Sequence, residues 1–535
     1  MIWISLAIAT YYAVISLIAL TPTRRPAVID MLWFFVGWLT GELSLFSTLI
    51  EGLVLVIQWR WGWPADWRGD ALVILSVFGL SVNLALYLGM WRARTIVRRV
   101  MTSGPADVNF SSVKLRFATW WRTLGVVPLR SSDVRVVRNI SYGPHRLQKL
   151  DVYRSSLTPK NAPVLMYIHG GAWVFGDKRE QARPMMFEFV RQGWVVVSVN
   201  YRLAPFDRWP AHIRDVTSAL AWVKKNIGVH GGNPEHVVVS GGSAGGHLAA
   251  LLALTSNSRE FREPHLDPNI DLSVDGAIPF YGVHDMTGDP RQWRGTQKSL
   301  VTLLESAVMF EKVAANPELF RLASPHHRIA PDAPPFLVIQ GRSDTLVNFN
   351  VARHFVATYR ERVPHSLIWH IELPLAQHAF DLSHSPRTSA TTRAAVAFAR
   401  WCVSRERAGY PDVPDELAAA YQVPPTHLDI TATEEVVYVV TPFNPLGWDQ
   451  VSDPAALNRA NYDTFLRELA DRQVSFSPTL AYEAATGNWE EPGAALSCDH
   501  VEALLLARRF RQYAYYEVRP EVINVRAAKD GRIIR

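Results

Sequence analysis

Two cysteines, Cys402 and Cys498, are all that 535 residues contain, and they stand far apart. No disulfide framework is therefore encoded, and the fold has to be held by its cores. Histidines, cysteines and carboxylates nowhere fall at metal-ligand spacing, and no nucleotide-binding motif occurs, so the chemistry to look for needs neither metal nor other cofactor. Internal repeats and low-complexity tracts are absent, which excludes a repeat architecture. The start of the chain has no basic n-region and no small-residue cleavage site, so its first apolar run does not read as a cleavable signal peptide. Net charge is +6, with arginine far exceeding lysine. No nucleic-acid-binding motif accompanies that excess, and much of it flanks apolar segments, where anionic lipid headgroups explain it more simply.

Long hydrophobic runs are not lacking. Ile2 to Leu20, Met31 to Ile57 and Ala71 to Trp91 each reach the roughly 20 residues that a helix needs to cross a hydrocarbon core, so residues 1–93 read as a membrane domain of three transmembrane helices. Glu42 falls mid-span in the second run and Glu51 nine residues later, on opposite faces of a straight helix. An intramembrane carboxylate reads either as a functional group or as one that is protonated or bonded to a neighbouring helix. Arg24 and Arg25 follow the first run and Arg92, Arg94, Arg98 and Arg99 the third, against Arg60 and Arg68 after the second. The positive-inside rule then puts everything after Trp91 in the cytoplasm, and the amino terminus outside. Residues 94–133 form a juxtamembrane segment in which Phe117, Trp120, Trp121 and Leu124 share a helical face beside Lys114, Arg116 and Arg122. That pattern fits a helix in the lipid interface, a cap over a pocket, or an ordinary packed helix.

The chemistry centres on His236 to Leu254, HVVVSGGSAGGHLAALLAL. A β-branched run, Val237 to Val239, breaks into Gly241-Gly242-Ser243-Ala244-Gly245-Gly246 and an Ala/Leu-rich helix follows. This G-x-S-x-G turn between strand and helix lifts a serine hydroxyl above the sheet, with small neighbours that let strand and helix approach, and makes Ser243 the candidate nucleophile. Upstream, the strand-like Pro163 to Ile168 ends in His169-Gly170-Gly171-Ala172-Trp173, whose bare backbone N–H groups suit a developing oxyanion. With these motifs and Val195 to Pro205 (VVVSVNYRLAP), residues 134–403 resemble the α/β-hydrolase fold, closest to the esterases and lipases grouped with hormone-sensitive lipase. The resemblance implies oxyanion donors at the N–H groups of Gly170, Gly171 and Ala244; Ala172 stands where a third glycine is commoner. It also implies that an acid and then a histidine follow the serine. Asp344 lies just past the apolar run Pro335 to Ile339, at a strand's carboxyl end, although an ordinary turn or N-cap aspartate would look the same. His378 lies in the loop beyond the strand-like Ser366 to Leu373 and before a helix from about Arg387 to Cys402. It is preferred over His370, His384 and the pair His326-His327, since His370 falls inside the strand and His384 beyond the loop. Ser299 to Leu322 is an amphipathic Met/Phe/Leu-rich insertion that reads as core or as part of an acyl pocket.

After a charged, proline-bearing linker (404–414), residues 415–535 alternate strand and helix patterns in the manner of a small α+β domain. Thr441-Pro-Phe-Asn444-Pro445, Asn458, Asn461, Trp489 and Gln512 resemble a bacterial domain family of unassigned function, with Gly493 where that family usually has serine. The expected whole is an α/β-hydrolase sheet behind three membrane helices and ahead of a small α+β domain. Its expected activity is that of a serine carboxylesterase or lipase for hydrophobic, lipid-derived esters at a bilayer, with no cofactor and no nucleic-acid partner. Two alternatives stay open: an acyltransferase or amidase on the same triad, and a non-catalytic lipid-binding scaffold.

Overall fold

The structure, a computed structural model, describes residues 2–21, 27–62, 66–106, 108, 110, 113 and 133–404 except 157, 268, 269, 290–297, 364 and 365. Beyond them it describes 427–428, 437–440, 462–467, 469–470, 474–482, 490–498, 503, 506–507, 514–519 and 522–527. Arg24 and Arg25, the aromatic face from Phe117 to Leu124, the linker 405–414, and Asn444, Asn458, Asn461, Trp489 and Gln512 lie outside the described residues. Two compact units emerge, one of residues 1–264 with 272–404, the other of 265–271 with 405–535.

The first unit begins with four helices, α1 (Ile2–Leu20), α2 (Ala27–Glu42), α3 (Ser44–Trp61) and α4 (Trp67–Thr102). Trp3 meets Trp67 edge-on with ring centroids 6.3 Å apart, and further along Asn83 donates to Ser16 Oγ at 3.2 Å and to Glu51 Oε2 at 3.0 Å. The first two contacts make α1 and α4 run side by side in the same direction, and the third brings α3 against α4. By length and composition α1 and α4 are each able to cross a membrane, and a third crossing is available in the second apolar run. That run differs from the uninterrupted span expected of it: α2 and α3 meet at Leu43 with a bend of 76°. Gly41 and Glu42 stand at the break, and Glu42 is drawn into a buried ion pair with Arg387 of the α/β body. So Glu42 is not mid-span, whereas Glu51 is buried inside the helical bundle. α4 is 36 residues long, about 54 Å at 1.5 Å per residue, well beyond what a bilayer needs. Its second half carries Ala93, Val97 and Met101 into the same hydrophobic core as Trp369, Phe398 and Ile371.

That core belongs to an eight-stranded sheet. Its elements in chain order are β1 (Arg135–Ser141), β2 (Lys149–Arg154), β3 (Ala162–Ile168), α5 (Arg183–Arg191), β4 (Val195–Val199), α6 (Ala211–Asn226), β5 (Gly232–Gly242), α7 (Ala244–Thr255) and β6 (Gly276–Phe280). They continue with α8 (Lys298–Leu303), α9 (Pro317–Leu322), β7 (Phe336–Gly341), α10 (Phe349–Arg362), β8 (Ile368–Leu373) and α11 (Pro386–Ser404). The strand order is β1-β2-β4-β3-β5-β6-β7-β8, antiparallel from β1 to β4 and parallel from there on. Covering helices on both faces explain why the central strands are continuous apolar runs rather than alternating ones; β3, β4 and β6 are buried almost throughout. Every parallel strand then ends at one edge of the sheet, and β5, β7 and β8 deliver the serine, the aspartate and the histidine loop to it. The amphipathic insertion is not one helix. Phe310 adopts φ +56°, and Asn316 caps a new helix by accepting from Leu319 N, with Pro317 in the first position of α9.

The second unit is an antiparallel sheet in the order β14-β13-β10-β12-β11-β9, built from β9 (His427–Leu428), β10 (Val437–Val440), β11 (Ser475–Tyr482), β12 (Glu490–Ser497), β13 (Ala514–Arg519) and β14 (Val522–Ala527). Helical residues Phe465, Leu469, Ala503, Leu506 and Ala507 cover Val440 and Leu496. It is the α+β arrangement expected.

Candidate active site

Ser243 is the single residue between β5 and α7, and its backbone sits at φ 57°, ψ −120°, a region that costs an L-residue of order 1–3 kcal/mol. Its N–H donates to Phe280 O at 3.0 Å and its C=O accepts from His247 N at 2.9 Å, so the turn is held from both ends. The glycine of the motif's last position is required sterically: a Cβ on Gly245 would stand 2.0 Å from Ile168 O, because α7 leaves directly over β3. Ser243 therefore stands at the N-terminus of a twelve-residue helix, where the dipole favours negative charge.

Asp344 and His378 meet. His378 Nδ1 lies 2.7 Å from Asp344 Oδ2, with the aspartate 1 % and the histidine 4 % exposed. The carboxylate also accepts from Gln340 Nε2 at 2.9 Å, Leu346 N at 2.9 Å and Val347 N at 2.8 Å, which satisfies both oxygens and fixes their direction. A carboxylate so placed makes Nδ1 the protonated ring nitrogen and leaves Nε2 to accept. Gln377 holds the loop itself, its Oε1 accepting from His378 N at 2.9 Å and from Thr345 N at 2.8 Å, so the acid and base loops are tied together. Of the five histidines weighed from sequence, His378 is the one bonded to Asp344. His370 points from β8 toward Glu372 at 3.7 Å, and His326 and His327 pack edge-on against each other.

Near the serine, the loop after β3 comes close enough that a Cβ on Gly170 would meet Gly242 O at 2.6 Å and Ser243 Cβ at 3.2 Å. The three N–H groups expected as oxyanion donors are not equivalent. Gly170 N–H donates to Gln181 Oε1 at 2.7 Å and is engaged, whereas those of Gly171 and Ala244 have no acceptor among the described residues. The loop's shape is set by His169. Its ring stacks on Tyr201 at 4.5 Å, its Nδ1 donates to Gly170 O at 2.7 Å, and Tyr201 Oη donates to His169 O at 3.0 Å. Burial pushes the His169 pKa down to about 4, so it stays a neutral structural group. His247 on α7 behaves alike, accepting from Trp173 Nε1 at 3.2 Å, donating through Nε2 to Ala323 O at 2.7 Å, and held at about 4 by burial.

Sequence reasoning missed two groups of residues. Tyr281 packs its ring 4.5 Å from that of His378 and donates its hydroxyl to the buried Asp381, while a Cβ on Gly242 would touch that hydroxyl at 2.8 Å. It thus bridges the serine turn and the histidine loop; only its position, directly after β6, was available as a signal. The other group is on α2. Phe34 lies edge-on to His378 at 6.1 Å, Trp38 Nε1 donates to Ala379 O at 2.9 Å, and Glu42 pairs with Arg387. The i, i+4, i+8 spacing of these three was legible as one helix face, but nothing in the sequence said what that face meets. Among the described residues no three His, Cys, Asp or Glu side chains converge as metal ligands would.

The sequence profile of the family described as BD-FAE matches residues 150–359, and that of a protein of unknown function, DUF3293, matches residues 440–515. The chain is 36 % identical over 429 residues to the probable carboxylic ester hydrolase LipM of Mycobacterium tuberculosis, covering 76 % of this chain and 94 % of that protein. It is 40 % identical over 274 residues to esterase LipC of the same organism, covering 51 % of this chain and 66 % of that one. Among solved structures, esterase B from Lactobacillus rhamnosis aligns with 59 % of this chain and 98 % of its own at 20 % identity and a TM-score of 0.45.

Proposed function

The chain belongs to the α/β-hydrolase esterases of the hormone-sensitive-lipase-like group and is a carboxylesterase, and on that premise we propose that it is anchored in a membrane and cleaves lipid-derived esters through an acyl-enzyme on Ser243. The observation that carries the mechanism is the buried 2.7 Å bond between His378 Nδ1 and Asp344 Oδ2, at the same sheet edge as a serine in strained backbone. His378 Nε2 takes the hydroxyl proton as Ser243 Oγ attacks the ester carbonyl, and Asp344 keeps the tautomer and stabilises the imidazolium. The N–H groups of Gly171 and Ala244, with the N-terminus of α7, stabilise the tetrahedral oxyanion; Gly170 N–H joins them only when Gln181 gives it up. Collapse expels the alcohol, which takes its proton from His378, and a water deprotonated by His378 then releases the acid.

The membrane reading has α1, α3 and α4 crossing side by side and α2, turned through 76°, lying along the boundary on the catalytic side. Arg92, Arg94, Arg98 and Arg99 follow α4's apolar stretch on that side, with the Arg94 guanidinium 4.1 Å from the Trp91 ring centroid, and the positive-inside rule makes it cytoplasmic. A lipid origin for the ester is supported by depth. A Cβ on Gly89, within a turn of Trp91, would meet Leu375 Cδ1 of the histidine loop at 3.5 Å, so that loop rides at the edge of the apolar stretch.

Labelling of the detergent-solubilised chain with a fluorophosphonate, followed by mass-spectrometric mapping, tests the reading. An adduct on Ser243 that Ser243→Ala abolishes, together with ester turnover, is the expected result; a folded wild-type chain that takes no label and cleaves no ester refutes it.

A further inference from the structure

Arg387 is an odd residue at its position. It is the second residue of α11 and only 1 % exposed, so a full positive charge sits in a helix's first turn, where the dipole is unfavourable, and out of reach of water. A cation is kept in such a place only against a partner, and the partner is Glu42, 345 residues away at the end of α2 and likewise buried. The next residue, Thr388, donates its hydroxyl to Ser383 O at 2.8 Å and to Phe380 O at 3.3 Å, which binds the first turn of α11 to the segment that follows His378. One turn back on α2, Trp38 Nε1 donates to Ala379 O at 2.9 Å, and Ala379 itself sits at φ +58°, a conformation that needs holding. Another turn back, Phe34 stands against the His378 ring. Three successive turns of one helix face therefore hold the histidine, the carbonyl beside it, and the helix that closes its loop.

We propose that α2 is a positioning element of the catalytic machinery, with Glu42 and Trp38 as positioning residues that act through Arg387 and Ala379 on His378. This rests on the serine-esterase reading above. On this account the break between α2 and α3 is functional: a helix that continued straight from α3 would swing Phe34 and Trp38 away from the histidine loop about the pivot at Leu43, whereas one turned through 76° keeps them beside it. It also makes the membrane helices part of the active site and not a tether for it.

The experiment uses the full chain in vesicles and a short water-soluble ester, with kcat expressed per site titrated by fluorophosphonate, so that unfolded molecules do not enter the rate. For Glu42→Gln the expected result is a fall in kcat of about tenfold or more with KM unchanged, and for Trp38→Phe a smaller fall of the same kind. Arg387→Lys, which keeps the charge, should recover most of what Arg387→Gln loses. A lower titre with unchanged kcat per site, or a change confined to KM, overturns the proposal by making α2 a merely structural neighbour. If the wild-type chain is neither labelled nor active, the esterase reading fails and takes this inference with it.

Discussion

At the residue scale, the environment of Asp344 separates catalysis from folding. Its Oδ1 accepts from the Leu346 and Val347 amides and its Oδ2 from His378 and Gln340, so Asp344→Asn is free to keep Oδ1 while presenting an amide to His378 Nδ1, once the Gln340 amide turns its unpaired Oε1 toward the new donor. The imidazole would then be forced into the wrong tautomer, and kcat should fall by about 10⁴ with the unfolding transition little changed. A loss below tenfold would mean that Asp344 does not orient the base. The buried histidines govern stability instead. Burial lowers the pKa of His169 and His247 to about 4 and of His212 and His284 to about 3. Below pH 6.5 the unfolded chain takes up these protons and the folded chain does not, so stability is whole above that pH and drains as pH falls toward 4, by about 1.4 kcal/mol per unit for each histidine. His284, stacked on Phe355 with ring centroids 4.4 Å apart, is the one to remove. His284→Leu should flatten the slope of urea midpoints between pH 6.5 and 5, read by pulse proteolysis of the first unit; parallel slopes would contradict the linkage.

At the element scale, the sequence was most legible where an element is apolar on every side or punctuated by glycine. The strand-like Pro163 to Ile168 is β3, buried almost throughout, and the turn at Ser243 announced itself through Gly241 and Gly245, whose Cβ positions are occupied by other backbone. Helix α11 was expected from about Arg387 to Cys402 and spans Pro386–Ser404. What stayed hidden depends on partners remote in the chain. Hydropathy treats Met31 to Ile57 as one run, because α2 and α3 are equally apolar and the bend between them is stabilised by an arginine 345 residues away. Likewise, the apolar stretch of α4 does not reveal that Val97 and Met101 leave the N-terminal helices and join the core that contains Trp369. The N–H of Gly170 was assigned by motif, and only the side chain of Gln181, eleven residues on, tells that it is engaged.

At the scale of the whole molecule, the α/β body and the N-terminal helices share a hydrophobic core through α4 and an ion pair through α2, so on the membrane placement proposed above the site is held at a fixed height over the bilayer. The flank of α2 beside the face that holds the histidine loop carries Phe35 and Leu39, 53 % and 47 % exposed. On the membrane placement proposed above, a helix along the boundary with such a flank would be seated in the acyl region by about 1.5–3 kcal/mol for each large side chain buried there. Replacing both by serine should lift that flank out of the lipid without touching the pair with Arg387. Turnover of a long-chain ester dissolved in vesicles is then expected to drop by about tenfold, while hydrolysis of a short water-soluble ester by the same protein, measured per titrated Ser243, stays near wild type. Equal losses on both substrates would mean that esters reach the serine from water, past the loops on the far side of the sheet edge. The depth at which Leu375 meets α4 would then be a matter of packing alone.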